Sequence, residues 1–400
     1  MILLKDNRYK YIFFTILFVV LSILIYTANT LSISYKEALN VFVNNSLLSV
    51  LTNSSIYLFG QNDIALRLPF LIFYLLSVLL MYHLTKDFFK KESDRLISIV
   101  IYMLLPGLLS ASILVNSAII VTFFTLLYIY YYKKTDKHCY ALLILFLFID
   151  NSFAIFFLAI FFYALNKKDN KLLIVSLLLF GLSMSIYGFD TGGKPRGFLV
   201  DTFAIYASVF SPLLFIYFFY SIYRSGIKNE KTLVWYISAT SLLCSLLFSF
   251  RQQIYIEDYA PFVVIFLPYM LRTFLHTLRI RLPQFRYRYY YVLVLVLFLL
   301  FINVGITIFN KPIYLLLENP KKHFIYKYNF AKEIAYKLKA NNINNIQSDD
   351  KELLLRLKFY GIAQGNEYFI TDKEQYTYDS KLSIDYFGKT LKTIFIIKNQ

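Results

Sequence analysis

The chain alternates apolar runs, each long enough to cross a bilayer, with short loops that are rich in lysine and arginine. With 58% hydrophobic and 16% charged residues, the composition lies outside the range of soluble domains. Since roughly 20 apolar residues cross the hydrocarbon core as a helix, the sequence predicts a polytopic α-helical membrane protein with about 11 transmembrane helices. The candidate spans lie near residues 11–28, 68–85, 96–115, 117–132, 172–188, 206–223, 232–250, 259–275 and 290–308, with a short pair between 139 and 165.

The loop charges predict the orientation of the chain. Cytoplasmic loops of membrane proteins retain an excess of lysine and arginine. About half of the 41 basic residues cluster in alternate loops, beginning with Lys5, Arg8 and Lys10, so the N-terminus is predicted to be cytoplasmic. Lysine-rich segments also lie on both sides of residues 139–165. We therefore interpret that stretch as a hairpin turning at Asp150 and not as one long tilted helix.

Residues 309–400 are polar and charged, and they follow the last apolar run. Counting crossings places them outside, so we predict a membrane domain over 1–308 and a small periplasmic α/β domain over 309–400. Phe330, Ile334 and Leu338 recur at helical spacing. A second helix is predicted at 353–357, and strands are predicted at 368–371 and 393–397. The first external loop, residues 29–67, is predicted to hold a helix along the membrane surface from residue 38 to 48.

The end of that loop carries a recognisable stretch. Between Leu58 and Phe70 the chain reads Leu-Phe-Gly-Gln-Asn-Asp-Ile-Ala-Leu-Arg-Leu-Pro-Phe. It resembles the stretch closing the first external loop of type C membrane glycosyltransferases, which include the protein O-mannosyltransferases and the aminoarabinose transferases of lipid A. The resemblance implies sugar transfer from a polyprenyl-phosphate-linked donor to a lipid, glycan or protein acceptor. The resemblance further implies a multi-pass protein of the bacterial inner (plasma) membrane that carries out this reaction at the periplasmic face.

The resemblance also implies a role for Glu37. In these glycosyltransferases an acidic residue soon after the first span, often an Asp followed by Glu, accepts the proton of the attacking hydroxyl or contacts a metal and the lipid phosphate. Glu37 is the acid available at that place, and Lys36 stands where several relatives carry Asp. We therefore expect Glu37 to be the catalytic base and Lys36 to contact phosphate. The alternative is a solvated pair at the membrane interface.

Four further polar positions are expected to contribute to the site, Arg67 as a phosphate ligand and Asp63, Asn116 and Asp150 as possible supporting residues. Asp63 and Arg67 are four residues apart, so they can pair on one helical face, and Arg67 can also bind phosphate. Where the resembling enzymes usually have a second acid, this chain has Asn116, which cannot act as a base. Asp150 could replace that acid, but Asp followed by Asn and Ser is also typical of a helix N-cap.

Two other external segments carry cations. Lys194 and Arg196 lie in a glycine-containing turn that could hold a pyrophosphate or an anionic lipid head. Arg251 and Tyr255 precede a span at the place where the resembling enzymes tend to have a basic residue and a tyrosine facing the lipid phosphate. We expect these four side chains to bind substrate phosphate.

Several other functions are disfavoured or remain as alternatives. The chain has no nucleotide-binding loop or histidine-rich metal spacing, so no cofactor is certain, although a divalent metal remains compatible with the resemblance. The formal charge of +17 is explained mainly by the basic loops, which meet anionic membrane lipids, and does not indicate nucleic acid. A transporter or flippase of a lipid-linked substrate remains an alternative, as does a non-catalytic relative.

Overall fold

The computed structural model describes residues 2–188, 197–228, 231–373 and 378–398, with side chains from Arg8 onward. The helices are α1 (Ile2–Thr30), α2 (Tyr35–Phe42), α3 (Leu47–Phe59), α4 (Asp63–Leu84), α5 (Glu92–Met103), α6 (Pro106–Ile113), α7 (Ala118–Thr135), α8 (Tyr140–Phe146), α9 (Phe153–Lys167), α10 (Asn170–Tyr187), α11 (Leu199–Phe210), α12 (Pro212–Lys228), α13 (Leu233–Ser249), α14 (Ala260–Val264), α15 (Leu267–Ile280), α16 (Pro283–Ile308), α17 (Ala331–Ala340) and α18 (Lys351–Phe359). The strands are β1 (Asn345–Ser348), β2 (Ala363–Gln364), β3 (Tyr368–Thr371), β4 (Ser380–Tyr386) and β5 (Lys389–Lys398).

Five helices within the described ranges are long and apolar enough to cross a membrane, namely Arg8–Thr30, Asp63–Leu84, Asn170–Tyr187, Ala260–Ile280 and Pro283–Ile308. Two bent pairs raise the number to seven, with angles of 52° between α5 and α6 and 105° between α11 and α12. The chain is thus a multi-pass membrane protein, but the predicted count of about eleven is not confirmed. One reason is that the predicted pair at 139–165 consists of short helices, α8 with 7 residues and α9 with 15.

The chain divides into two compact units. The first comprises Met1–Ser22, Phe70–Ser112 and Asn116–Val304, and it contains most of the apolar helices. The second comprises Ile23–Pro69, Ile113–Val115 and Gly305–Gln400. The second unit therefore combines the first loop with the tail, a grouping that sequence patterns did not indicate. The domain boundary at residue 308 stays a prediction.

The tail contains the α/β elements that the sequence predicts. Its five-stranded sheet has the order β2-β1-β3-β5-β4, with β1 parallel to β2 and β3 and with β5 antiparallel to β3 and β4. The strands predicted at 368–371 and 393–397 are confirmed as β3 and part of β5. Both predicted helices are confirmed as α17 and α18. Ile334 and Leu338 of α17 are fully buried in the core together with Leu357 of α18 and Ile346 and Ile370 of the sheet.

The single surface helix predicted from residue 38 to 48 is wrong, because the chain forms two helices there. Helix α2 ends at Phe42, and the backbone amide of Asn44 donates to the Leu39 carbonyl after it. Helix α3 then begins with its own N-cap, since the Ser46 hydroxyl accepts the Ser49 amide at 3.2 Å. The polar cap residue interrupts what the apolar spacing alone presents as one helix.

A buried histidine holds the start of the tail. His323 is 4% exposed and its ring stacks on Tyr314 with centroids 4.1 Å apart. Its Nδ1 accepts the Ile325 amide at 3.1 Å, and its Nε2 contacts the Asn310 carbonyl at 3.0 Å. Because an amide only donates and a carbonyl only accepts, the ring must be neutral with its proton on Nε2. Burial lowers the pKa of His323 below its usual value.

We expect this segment to loosen as the pH falls below about 6.5, the ordinary histidine pKa. Below that value the unfolded chain binds a proton that the folded ring does not, so stability decreases until the lowered folded pKa is reached. Protonation of Nδ1 also removes the acceptor of the Ile325 amide. Hydrogen exchange of residues 320–328 against pH measures the effect. The H323N variant keeps a neutral acceptor and should show a flat profile; an equal pH dependence in both proteins would contradict the assignment.

Candidate active site

Glu37 lies in the first turn of α2 and is held by a capping box. The Ser34 hydroxyl accepts the Glu37 amide at 3.3 Å, and Glu37 Oε2 accepts the Ser34 amide at 2.9 Å. This reciprocal arrangement satisfies two amides that a helix N-terminus leaves without partners. The same carboxylate is only 2% exposed. Glu37 is therefore a buried charge with a local structural role.

Arg67 of α4 supplies the counter-charge. Its Nη2 lies 3.1 Å from Glu37 Oε2, and its side chain is fully buried. The two terminal nitrogens also donate to three backbone carbonyls at 2.7 to 3.1 Å, those of Ala28, Leu31 and Ser32. The guanidinium thus joins the end of α1, the start of α2 and the start of α4. These bonds use the donors of both terminal nitrogens and so offset part of the cost of burying the pair, while the buried Nε has no partner among the described residues.

The second oxygen of Glu37 is also occupied. Oε1 accepts the backbone amide of Val115 at 3.2 Å, in the short segment that follows α6. Both carboxylate oxygens are therefore hydrogen-bonded. Oε1 accepts the Val115 amide and keeps a second lone pair that can take a proton from a substrate hydroxyl, whereas Oε2 already accepts bonds from Arg67 and Ser34.

Asp63 does not form the ion pair with Arg67 that their spacing predicts. Its carboxylate lies 2.8 Å from Lys332 Nζ. It also accepts a hydrogen bond of 2.6 Å from the Tyr360 hydroxyl. The Tyr360 oxygen in turn accepts the Ile33 amide at 2.9 Å. Burial, and then the Asp63 charge, raise the pKa of Tyr360 well above its usual value, so it remains a donor. Asp63 thereby connects the first loop to the tail.

Arg356 of α18 makes a second connection to that loop. Its Nε donates to the Ile33 carbonyl at 2.8 Å and its Nη2 to the Asn329 carbonyl at 2.9 Å. The guanidinium also stacks over the Phe330 ring at 4.5 Å. Burial lowers the pKa of Arg356 to about 10, so the group stays charged at neutral pH. Its charge is stabilised mainly by carbonyl dipoles and an aromatic face.

Replacing Tyr360 with phenylalanine should destabilise the second unit by about 1–3 kcal/mol, because the Ile33 amide and one Asp63 oxygen lose their partner. The loss should appear as a lower thermal unfolding midpoint of the purified protein. Y336F is the matched control, since the Tyr336 side chain is 76% exposed. Equal midpoints for the two variants would show that the Tyr360 hydroxyl contributes nothing.

The structure describes three of the remaining phosphate-binding candidates. Lys36 is exposed on α2, directly beside Glu37 in sequence. Arg251 and Tyr255 are exposed between α13 and α14 in the first unit. Lys194 and Arg196 lie outside the described residues, so their predicted role stays a prediction.

Asn116 and Asp150 both bond to the backbone two residues ahead. Asn116 Oδ1 accepts the Ala118 amide at 2.6 Å at the start of α7, and Asp150 Oδ1 accepts the Ser152 amide at 2.9 Å just before α9. These are bonds within local turns. The N-cap of α9 is Ser152, whose side chain makes no capping bond, so the capping role indicated for Asp150 stays a prediction.

Asp258 is an acid that the sequence did not single out. It follows α13 in a short 3-10 turn, Ile256–Asp258, and is half-buried. Burial raises the pKa of Asp258 to about 7, with further contributions from Asp150 and Glu257. The only signal in the sequence was an acid placed just before an apolar span. Among the described residues, no three His, Cys, Asp or Glu side chains form a group that could hold a metal ion.

Comparison with known proteins supports the resemblance that the sequence motif indicated. No curated protein matches the chain. The family model of the dolichyl-phosphate-mannose-protein mannosyltransferases matches residues 47–153, about a quarter of the chain. The match includes Asp63 and Arg67 and begins after Lys36 and Glu37. Over residues 47–153 the chain is thus similar to the dolichyl-phosphate-mannose-protein mannosyltransferases, which confirms the resemblance and indicates a membrane glycosyltransferase.

Proposed function

We propose that the chain transfers a sugar from a polyprenyl-phosphate-linked donor to a lipid, glycan or protein acceptor at the periplasmic face of a bacterial inner membrane. The main support for this proposal is the family match over residues 47–153. That stretch contains the end of the first loop and the start of α4, where Arg67 holds Glu37. The proposal thus combines the donor that the family match indicates with a buried acid, Glu37, which precedes the matched residues in the same loop.

The contacts within the second unit support a common side for the first loop and the tail. Tyr360 and Arg356 of the tail bind Asp63 and Ile33 of the loop, and segments in contact lie on the same side of a membrane. An even number of crossings must then separate them. Six of the candidate spans in the described ranges follow the loop when each bent pair counts as one. With a cytoplasmic N-terminus, both segments would be periplasmic.

In the proposed reaction Glu37 Oε1 uses the lone pair beside its Val115 bond to accept the proton of the acceptor hydroxyl. The hydroxyl oxygen forms a bond to the anomeric carbon, and the bond from that carbon to the phosphate oxygen breaks with its electron pair. The polyprenyl phosphate leaves with an added negative charge, which a nearby cation would stabilise. Arg67 keeps Glu37 oriented through Oε2. Lys36, exposed on the same helix, is the cation that we assign to the donor phosphate.

A lysine contact to phosphate predicts a specific kinetic loss. We expect K36Q to lower kcat/KM for the donor by roughly 10- to 100-fold, the range of a charge-assisted hydrogen bond. Transfer from a radiolabelled polyprenyl-phosphate sugar to membrane acceptors measures it. Lys36 is exposed, and the thermal unfolding midpoint of K36Q separates a kinetic loss from a loss of folding. K351Q, an exposed lysine of α18, is the matched control, and equal activity of both variants and wild type would contradict the role of Lys36.

Glycan profiles provide the broader test of the function. A deletion strain should accumulate the lipid-linked sugar and lack a surface sugar that the wild type carries. The wild-type gene should restore the pattern. Unchanged lipid-linked and surface glycans in the deletion strain would contradict the proposed reaction.

A second candidate is a flippase for a lipid-linked substrate. It is favoured by one observation: both oxygens of Glu37 are already hydrogen-bonded, while the neighbouring positions expected to be acidic are Lys36 and Asn116. A flippase needs no base. Reconstitution in vesicles distinguishes the two, because a flippase moves a labelled polyprenyl-phosphate sugar between leaflets without forming a glycosylated product.

A further inference from the structure

A cavity of about 260 Å³ opens within the first unit. It lies between the end of α4, the end of α7, the start of α13 and the start of α15. Most of its lining is apolar and includes Met81, Leu126, Ile129 and Ile265. The volume accommodates roughly nine groups of the size of a water molecule. Such a lining favours a hydrocarbon chain over a polar solute.

The charged residues of the lining lie at the α7 end of the cavity. Lys133 is exposed, and its ammonium group donates to the Leu84 carbonyl at 2.8 Å. An ammonium has three donors, so this bond leaves two for an anion. Asp136 also lines the cavity and opposes an anion. The next residues of the chain bring a surplus of positive charge, because Lys134 and Lys137 flank Asp136.

The end of α4 adds to that surplus. Lys86 follows Leu84 and Thr85, which both line the cavity, and Lys90 and Lys91 come shortly after. Basic clusters at the ends of membrane helices attract anionic lipid headgroups. An apolar cavity beside such a cluster offers both parts of a lipid site, a space for a chain and a cation for a phosphate.

We propose that this cavity binds one anionic phospholipid of the bilayer, with part of an acyl chain among Leu126 and Ile129 and the phosphate at Lys133. The apolar lining disfavours inorganic phosphate as the ligand. The surplus of lysines disfavours a zwitterionic lipid. This site is separate from the proposed transfer reaction and does not depend on it.

Native mass spectrometry of the full chain in detergent tests the proposal with phosphatidylglycerol and phosphatidylcholine as probes. We expect one phosphatidylglycerol molecule to bind. The K133Q variant should lower the affinity for it by about fivefold, which is the effect of one cation near a membrane surface. I129F fills the cavity and should weaken binding as well. K134Q is the matched control, with the same charge change one residue away outside the lining, and should weaken binding clearly less than K133Q.

Three results would overturn the proposal. Equal weakening in K133Q and K134Q would mean that the charged cluster binds lipid without a specific site. Unchanged binding in I129F, with its thermal midpoint equal to wild type, would exclude the cavity. Displacement of phosphatidylglycerol by equimolar polyprenyl phosphate would assign the cavity to the carrier lipid instead.

Discussion

Replacing Arg67 with methionine is expected to destabilise the protein by about 3–5 kcal/mol, the usual cost of breaking a buried ion pair from one side. The variant leaves the Glu37 carboxylate charged and 2% exposed, without its counter-ion. It also removes the donors to the carbonyls of Ala28, Leu31 and Ser32. Since folded proteins are stable by only about 5–15 kcal/mol, the loss should be visible as a large decrease in the thermal unfolding midpoint in detergent.

The double variant E37Q/R67M separates charge from packing. It removes the unpaired charge as well as its partner, so it should be more stable than R67M alone even though the three carbonyls remain without Arg67. R288M is the matched control, since Arg288 is exposed on α16. If R67M unfolds at the same temperature as R288M, the buried pair has no structural role.

This result bears on how Glu37 variants are interpreted. E37Q leaves the Arg67 guanidinium buried and unpaired, so lost transfer in that variant could reflect lost folding. A catalytic role for Glu37 would require that E37Q lowers transfer much more than it lowers the fraction of folded protein. Measuring both quantities on the same preparation distinguishes proton transfer from a structural contribution.

The sequence predicted the class of the protein and the elements of the tail because those depend on local patterns. Long apolar runs indicate membrane helices, and the spacing of Phe330, Ile334 and Leu338 identified the buried face of α17. The number of spans was less accessible. Breaks such as that between α11 and α12 depend on packing, and an apolar pattern cannot distinguish a straight span from a bent pair.

Partners of the buried charges could not be predicted for a similar reason. The four-residue spacing of Asp63 and Arg67 indicated a pair on one helix, yet Arg67 binds Glu37 and Asp63 binds Lys332 of the tail. Long-range packing decides which opposite charges meet, and spacing reports only neighbours along the chain. The sequence did identify Glu37, Asp63 and Arg67 as residues to examine. It gave no signal for Tyr360 or Arg356. Their partners in the first loop, Asp63 and Ile33, lie 297 and 323 positions earlier in the chain.

Removing residues 309–400 is expected to unfold the first loop as well as delete the tail. Several hydrogen bonds from the tail reach this loop or the residues beside it. They connect Asn29 to Lys332, Ser32 to Tyr328 through both its amide and its hydroxyl, Ile33 to both Arg356 and Tyr360, Gln61 to Phe359, and Asp63 to Tyr360. Phe359 also packs in one apolar cluster with Ile33, Ala38 and Leu66. Without these contacts the loop exposes apolar side chains and buried polar groups.

Limited proteolysis of membranes measures this effect. In the full chain the loop over 29–67 should resist cleavage. After truncation at residue 308 the loop should be cut about tenfold faster or more. The reason is that protection from a protease follows the free energy of local opening. R356Q in the full chain should give an intermediate rate, since it removes the guanidinium contacts to Ile33 and Asn329 alone. A truncated chain whose loop is cut as slowly as in the full chain would mean that the loop folds without the tail. In that case residues 309–400 would be an independent domain, and the buried Glu37 and Arg67 pair would be sufficient to hold the loop.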